Sequence, residues 1–359
     1  VTDLDSLIKN YVEELKSKDL ILPAWYEDSK VIMLDQLKLP EENYVTLNTA
    51  EDVAKAIKDM VIRGSGAIAL GGIYGVILAT FSTKGNSEEI KKAGELLKST
   101  RPTAVNMHKT VDLLCDGIDN FESEELVVEI QKRAVDIMKK QLDVEKRIGE
   151  AGASLIKDGE TIMTICHAGG VAGFGFGGRT LSVFRTAVKQ GKDIKIIACE
   201  TRPYLQGARI TAWELKKFGI PVKLITDNMA GAIMQKGMID RVITGSDRLA
   251  ANGDTANKIG TYLLSLAAKD NNIPFHISTS KYNVDLNSKS GKDIKIEFRD
   301  SSEVVIINGK RITAEGIEAL YPGFDITPNE YITAIITEDG PIEKPFNKEL
   351  QKLVKGEDK

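Results

Sequence analysis

Apolar positions along the chain fall into two rhythms, and the change from one to the other divides it. Up to about residue 145 the spacing is helical. Residues 1 to 45 read as a helix, a loop around Pro23, and a short strand near Val31 to Leu34 that leads into the turn LKLPEENY. Thr49 then stands three before Asp52 as an N-cap, and Val53, Ile57, Met60 and Val61 recur at i, i+3 and i+4 spacing. Asn86 with Glu89 reads as a capping box for a helix through Leu97, and Arg101-Pro102 opens the next, with proline in the first turn where its missing N–H costs nothing. From Ser123 to Leu155 the positions Val127, Ile130, Ala134, Ile137, Val144 and Ile148 predict one long connecting helix.

Beyond it, short β-branched runs alternate with amphipathic stretches. Candidate strands are Thr161 to Ile165, Ile194 to Cys199, Val222 to Thr226, Arg241 to Thr244, Ile273 to Ser278 and Ile332 to Thr337. Strand and helix in alternation predict a parallel, doubly wound α/β sheet. Gly219 and Pro221 close a helix running from Gln206 to Phe218, and Asp227-Asn228 caps the one after. The stretch from Asn283 to Tyr321 is irregular, and the lysine-rich tail 343–359 reads as a solvated helix or fray. The chain thus divides into a mainly helical N-terminal domain, 1–145, and an α/β domain, 146–359.

Composition narrows the class without naming a function. Hydrophobic residues at 42% and charged residues at 28% are ordinary for a globular protein, and a formal charge of -4 argues against a polyanion-binding surface, so nucleic acid is not an expected partner. Cys115, Cys166 and Cys199 show no CxxC or His-rich ligand pattern, which suggests neither a disulfide framework nor a metal site and fits a reducing cytoplasm. No apolar run approaches the ~20 residues that span a bilayer, so a soluble protein off the membrane is expected.

The chemistry concentrates at strand ends and glycine turns. In VITGSDRLAANGDTANKIG, residues 242–260, a strand delivers Asp247 and Arg248 into a turn, where the ligand crevice of an open α/β sheet lies. Asn257 and Lys258 follow and read as the opening of a helix. Arg63-Gly64-Ser65-Gly66, ahead of a small-residue helix, suits a phosphate held by backbone N–H groups, a helix N-terminus and a guanidinium fork; close helix packing by Gly64, Gly66, Gly71, Gly72 and Gly75 explains the glycines equally well. Arg101 lies at a second helix start. Cys166, at a strand end beside a glycine loop, has the setting of a nucleophile or acid/base group, although a lone cysteine is more often inert packing. A Cys166–His167 dyad requires the backbone to turn between the two. Gly173, Gly175 and Gly178 match GxGxxG, with Glu200 near the place of a ribose-binding carboxylate, so a nicotinamide dehydrogenase is a rival reading. Gln206 has an amide able to bind sugar hydroxyls through both ends.

The stretches ETRPYLQGARITAWEL, ITDNMAGAIM, GSDRLAANGDTANKIGTY and FDITPNEYITAIITE resemble the signatures of the methylthioribose-1-phosphate isomerases, relatives of the regulatory subunits of a translation-initiation exchange factor. The resemblance extends from about residue 50 to 340. It implies a smaller N-terminal domain, a Rossmann-like C-terminal domain, a homodimer, and aldose–ketose isomerisation with neither nucleotide nor metal. By position it makes Cys166 and Asp247 the catalytic pair, Arg63, Gly64, Ser65 and Arg101 the phosphate and sugar contacts, and Gln206, Asn257 and Lys258 further ligands. Two departures bear on the substrate: Arg63-Gly64-Ser65-Gly66 stands where the family usually has Arg-Gly-Ala-Pro, and Cys166-His167-Ala168-Gly169 where it usually has Cys-Asn-Ala-Gly, with one extra residue before Gln206. The implied substrates are 5-methylthioribose 1-phosphate and 5-deoxyribose 1-phosphate, ranked together. Ribose 1,5-bisphosphate, or a non-catalytic sugar-phosphate sensor on the same fold, is the alternative.

Overall fold

The computed structural model describes residues 4–102 and 104–356. The chain forms two compact units: one runs up to Lys146 and takes in Ala168–Gly178, and the other holds Arg147–His167 and everything from Arg179 onward.

In the first unit, helix α1 (Ser6–Lys16) precedes an antiparallel meander of β1 (Ala24–Glu27), β2 (Lys30–Leu34) and β3 (Tyr44–Leu47). Helices α2 (Ala50–Lys58), α3 (Ser65–Ser82), α4 (Ser87–Thr100), α5 (Val105–Cys115) and α6 (Ser123–Ala153) follow, the last turns of α6 belonging to the second unit. The Thr49 cap is a full capping box, its hydroxyl accepting from Asp52 N while the Asp52 carboxylate accepts from Thr49 N. Helices α2, α4 and α5 pack around α3, whose 18 residues carry no charged side chain. By length and composition α3 is apolar enough to cross a membrane, contrary to the sequence expectation, but 78% of it is buried within the protein and it serves as a core helix. Three of its glycines are there for packing. A Cβ at Gly71, Gly72 or Gly75 would stand 3.3, 3.1 or 2.8 Å from Ile57, Val111 or Leu97 respectively, so neighbouring helices approach α3 to backbone range.

The second unit is built on a seven-stranded sheet. Its strands are β4 (Thr161–Thr164), β5 (Lys195–Cys199), β6 (Val222–Ile225), β7 (Arg241–Thr244), β10 (Phe275–Ser278), β15 (Ala334–Thr337) and β16 (Gly340–Ile342), in the order β16-β15-β10-β7-β4-β5-β6. All pairs are parallel except β15 with β16. Helices α7 (Leu181–Lys189), α8 (Ala212–Lys217), α9 (Ala230–Gln235), α10 (Thr261–Asp270) and α12 (Phe346–Lys355) connect or flank the strands. Every predicted strand is present. Strand order runs outward from β4 through β5 to β6, then returns to its other side at β7, which makes the adjoining ends of β4 and β7 a topological switch point.

A second sheet, absent from the sequence expectation, has the order β11-β8-β9-β14, with β8 (Arg248–Ala250), β9 (Thr255–Lys258), β11 (Val284–Asp285) and β14 (Phe324–Thr327). Asn257 and Lys258 therefore lie on a strand and do not open a helix. They pair with Asp325 and Phe324, nearly seventy positions away, and α10 begins only after Gly260, whose φ of 102° suits glycine. Besides β11, the irregular stretch holds little regular structure beyond α11 (Ser302–Val305) and the two-residue strands β12 (Ile306–Ile307) and β13 (Lys310–Arg311). The tail is more than a solvated helix: α12 buries Phe346, Leu350 and Leu353. Asp227 does not cap the helix after it; its carboxylate accepts from Thr201 N at 2.8 Å and Arg202 N at 2.7 Å.

Candidate functional site

In the second unit the loops after β4, β5 and β7 each contribute a candidate residue. Cys166, two residues past β4, adopts φ 68°, a left-handed conformation that costs a non-glycine residue on the order of 1–3 kcal/mol and persists only where neighbours impose it. They do so from both sides. Cys166 N donates to the Thr201 hydroxyl at 2.8 Å, and the Thr211 hydroxyl donates to the Cys166 carbonyl oxygen at 2.7 Å. Thr201 is fixed in turn by Asp227. The half-buried Cys166 thiol receives Gln206 Nε2 at 3.4 Å.

The backbone does turn at Cys166, yet no Cys–His dyad results. His167 Nδ1 meets the Thr211 oxygen at 3.1 Å. Because the single Thr211 proton goes to Cys166 O, His167 Nδ1 must carry the hydrogen and donate. His167 Nε2 faces Glu214 Oε2 at 3.4 Å, both side chains fully enclosed. His167 thus supports the Cys166 backbone through Thr211. Gln206 leads into a widened π-turn, Gly207–Thr211, ahead of α8. Such turns are often found at functional sites, and here a Cβ on Gly207 would overlap the Cys199 carbonyl oxygen.

Asp247, three residues past β7, is held by its own N–H to Ala256 O at 2.9 Å and by Asn283 Nδ2 to its carbonyl at 3.1 Å. The residue is exposed, yet the surrounding protein desolvates its carboxyl enough to push the pKa up, against the pull of Arg248, Lys258 and Arg299. Lys258 is 5% exposed, with Nζ 4.3 Å from the Phe324 ring centroid. Asn257 is 6% exposed and its Nδ2 donates to the Thr261 hydroxyl. Arg299, which sequence reasoning missed, lies over the same Phe324 ring at 5.4 Å. Asp325, also missed, accepts from Gly260 N and Tyr262 N, while burial raises its pKa to about 6.

In the first unit, Arg63 and Gly64 precede α3, and Ser65 opens it. Gly64 has φ 96°, and a Cβ there would fall 2.4 Å from Ala172 Cβ; at Gly66 it would fall 2.9 Å from Gly173 Cα. These two glycines therefore serve the turn and its approach to the 170–173 backbone, unlike the packing glycines farther along α3. Asn106 Nδ2 donates to the Ser65 hydroxyl, which joins the first turn of α3 to that of α5, next to the Arg101 turn. Arg101 O in that turn meets His108 Nε2 at 3.1 Å.

The GxGxxG loop is occupied from within. Glu145 Oε1 accepts from Phe174 N at 2.6 Å, and Oε2 accepts from Phe176, Gly177 and Gly178 N at 3.0, 3.3 and 3.1 Å. A buried carboxylate of the chain takes the N–H groups that a dinucleotide pyrophosphate requires, which removes the dehydrogenase reading. Among the described residues no group of three or more His, Cys, Asp or Glu side chains is arranged to hold a metal ion.

Comparison with known proteins accords with this geometry. Residues 61–344 match the initiation factor 2 subunit family. A methylthioribose-1-phosphate isomerase from Thermotoga petrophila is 46% identical over 345 residues, covering 95% of this chain and 99% of that protein. The chain belongs to the methylthioribose-1-phosphate isomerase family. The crystal structure of a 5-methylthioribose 1-phosphate isomerase from Pyrococcus horikoshii superposes with a TM-score of 0.88 at 37% identity, covering 94% of this chain and 96% of that one. The structure of translation initiation factor eIF-2B, subunit delta, from A. fulgidus does so with a TM-score of 0.87 at 38% identity, covering 93% and 99%. The isomerase family thus shares its fold, a helical N-terminal region followed by a Rossmann-like sheet, with a protein titled as a translation factor.

Proposed function

We propose that this protein is an aldose–ketose isomerase that converts 5-methylthioribose 1-phosphate, or its 5-deoxyribose analogue, to the corresponding ribulose 1-phosphate. The observation that carries the reading is the placement of Cys166 and Asp247 at the two neighbouring strand ends of the switch point, in a chain 46% identical to an isomerase of that name. The substrate has phosphate on its anomeric carbon, so no free carbonyl exists until the ring opens. Asp247, whose pKa is raised by desolvation, gives a proton to the ring oxygen. Cys166, positioned by Thr201 and Thr211 and contacted by Gln206, serves C1 and C2 as hydrogen moves between them. Arg63, Gly64, Ser65 and Arg101 are assigned to phosphate and sugar, and Gln206, Asn257 and Lys258 to the remaining polar groups; fixed donors aimed at developing charge are commonly the largest catalytic contribution.

The same reading takes the working form as a cytoplasmic homodimer with no nucleic-acid or membrane partner and no bound metal or nucleotide. Leu224 on edge strand β6, with Met229 and Met238, is about half exposed and supports pairing of copies; equilibrium sedimentation measures it.

The test is turnover by purified protein with each sugar phosphate, followed by Cys166→Ser and Asp247→Asn. Each substitution is expected to lower kcat by about 10²–10⁴-fold, the usual contribution of a positioned acid or base. Because Asp247 acts in its protonated form, wild-type kcat falls as pH rises through its elevated pKa, and Asp247→Asn loses that limb. Full activity in either variant overturns the assignment. Binding without turnover favours a sensor, and turnover of ribose 1,5-bisphosphate alone moves the substrate.

A further inference from the structure

Tyr321 belongs to none of the motifs that mark the site. It is 3% exposed, and among the described residues its phenol oxygen finds no hydrogen-bond partner. A buried hydroxyl in that condition costs about 1–3 kcal/mol, and native proteins rarely keep one without a use. The segment that carries it is fixed on both sides. Arg299 N donates to Tyr321 O at 2.9 Å and Gly323 N to Glu297 O at 2.9 Å, while on the other side Ile259 N reaches Gly323 O at 3.3 Å. Three residues on, Phe324 pairs with Lys258 in β9. Tyr321 is thus held rigidly beside the strand that carries Asn257 and Lys258.

Its surroundings are those of the catalytic pair. The Arg299 guanidinium, which also acts on Asp247, lies beside the phenol, short of a well-formed hydrogen bond but close enough to act on it as a donor that lowers its pKa, and Cys166 is near enough to interact with it electrostatically. Burial, the largest influence, raises the phenol's pKa above its ordinary value of 10, so the hydroxyl keeps its proton at neutral pH and acts as a donor. A neutral donor buried beside a guanidinium, within electrostatic reach of the thiol, suits an oxygen that gains negative character as a carbonyl or enediolate forms.

We propose that the Tyr321 hydroxyl donates a hydrogen bond to the substrate oxygen on the carbon that becomes the ketone, making Tyr321 a third catalytic residue beside Cys166 and Asp247, with Arg299 as its positioning partner. The assignment rests on the isomerase reading above. It is tested with Tyr321→Phe, which removes one oxygen atom and leaves the ring.

Kinetic and thermal measurements on the same preparations separate a catalytic from a structural role. The proposal expects kcat to fall about 10–100-fold, with KM changed less than about threefold. It also expects Tm to stay or rise, because an unpaired buried hydroxyl has been removed. Loss of activity only in proportion to a lowered Tm indicates a packing role and overturns the proposal. So does a variant whose kcat stays within twofold of wild type. Wild-type protein inactive on both sugars overturns the isomerase reading and this assignment with it, whereas an active wild type with an equally active variant overturns this assignment alone.

Discussion

Glu145→Gln changes one oxygen to an NH2 group at the centre of the glycine loop. In the native chain Oε1 accepts one backbone N–H and Oε2 accepts three, and the side chain belongs to a residue only 1% exposed. A glutamine has one acceptor oxygen. Its best orientation points that oxygen at Phe176, Gly177 and Gly178 and sets the NH2 against Phe174 N, two donors facing each other. The stranded Phe174 N–H costs about 1–3 kcal/mol. The three retained bonds lose their charge assistance, roughly half of about 1.5–3 kcal/mol each, for a further ~2–4.5 kcal/mol in all. The sum is about 3–7.5 kcal/mol. At about 2–4 °C per kcal/mol for a domain of ordinary size, Tm should fall by ~6–30 °C. Calorimetry measures it, and amide hydrogen exchange at Phe174 and Phe176 to Gly178 reports whether the damage is local. A Tm within 2 °C of wild type, or unchanged protection at those amides, would refute the view that this carboxylate holds the loop. The same geometry leaves no room for a pyrophosphate, so titration with NAD should give no binding heat.

Two further outcomes follow from single residues. Asp325 has its pKa raised to about 6 from an ordinary carboxyl near 3.8, so between those values the folded state holds more protons than the unfolded one; its contribution is complete below pH 4 and is lost as pH rises through 6. Urea midpoints at pH 4.5, 5.5 and 7 should show this decline in wild type and a weaker one in Asp325→Asn, and equal slopes would exclude it. Gly64→Ala places a Cβ 2.4 Å from Ala172 Cβ at φ 96°, which should cost about 2–4 kcal/mol in a urea melt; a cost under 0.5 kcal/mol would show that the turn has another conformation open to it.

The parallel sheet was legible because each of its strands is a local event, a short β-branched run followed by a turn signal. The second sheet was not. Thr255–Lys258 has neither alternation nor β-branched density, and it becomes a strand only because Phe324–Thr327, from a distant stretch, hydrogen-bonds to it. Asn257 and Lys258 could be picked out by residue type, but their backbone could not. Cys166 and Asp247 stand at strand ends, where position alone gives a reason for chemistry. Arg299 and Tyr321 lie in an irregular segment, and what marks them is proximity and, for Tyr321, burial, neither of which a sequence displays. The glycine loop misled for a related reason: GxGxxG records a need for close-lying N–H groups, and Glu145, some thirty residues earlier, supplies the anion.

Glu145 is one case of a wider solution to the problem of holding long loops rigid at sheet ends without secondary structure. Asp227 accepts two N–H groups of the 201–202 turn, which in turn fixes Cys166. Asp254 accepts from Gly291 N at 2.9 Å and Asn329 N at 2.8 Å, tying two distant segments to the β8–β9 hairpin. Asp325 joins β14 to the start of α10. A carboxylate suits this work because it accepts several donors from different directions, and each charge-assisted bond contributes about 1.5–3 kcal/mol. Burial sets the limit. For Asp254 the bonds outweigh desolvation and its pKa falls below the ordinary value, whereas for Asp325 desolvation wins and its pKa rises to about 6. Acid should therefore protonate these anchors one at a time, Asp325 first and with a gain in stability, while the Asp254 carboxylate still holds its donors. Acidification titrated by NMR should first perturb the amides of Gly260 and Tyr262 and only later those of Gly291 and Asn329; simultaneous loss would mean that the loops unfold as one cooperative unit.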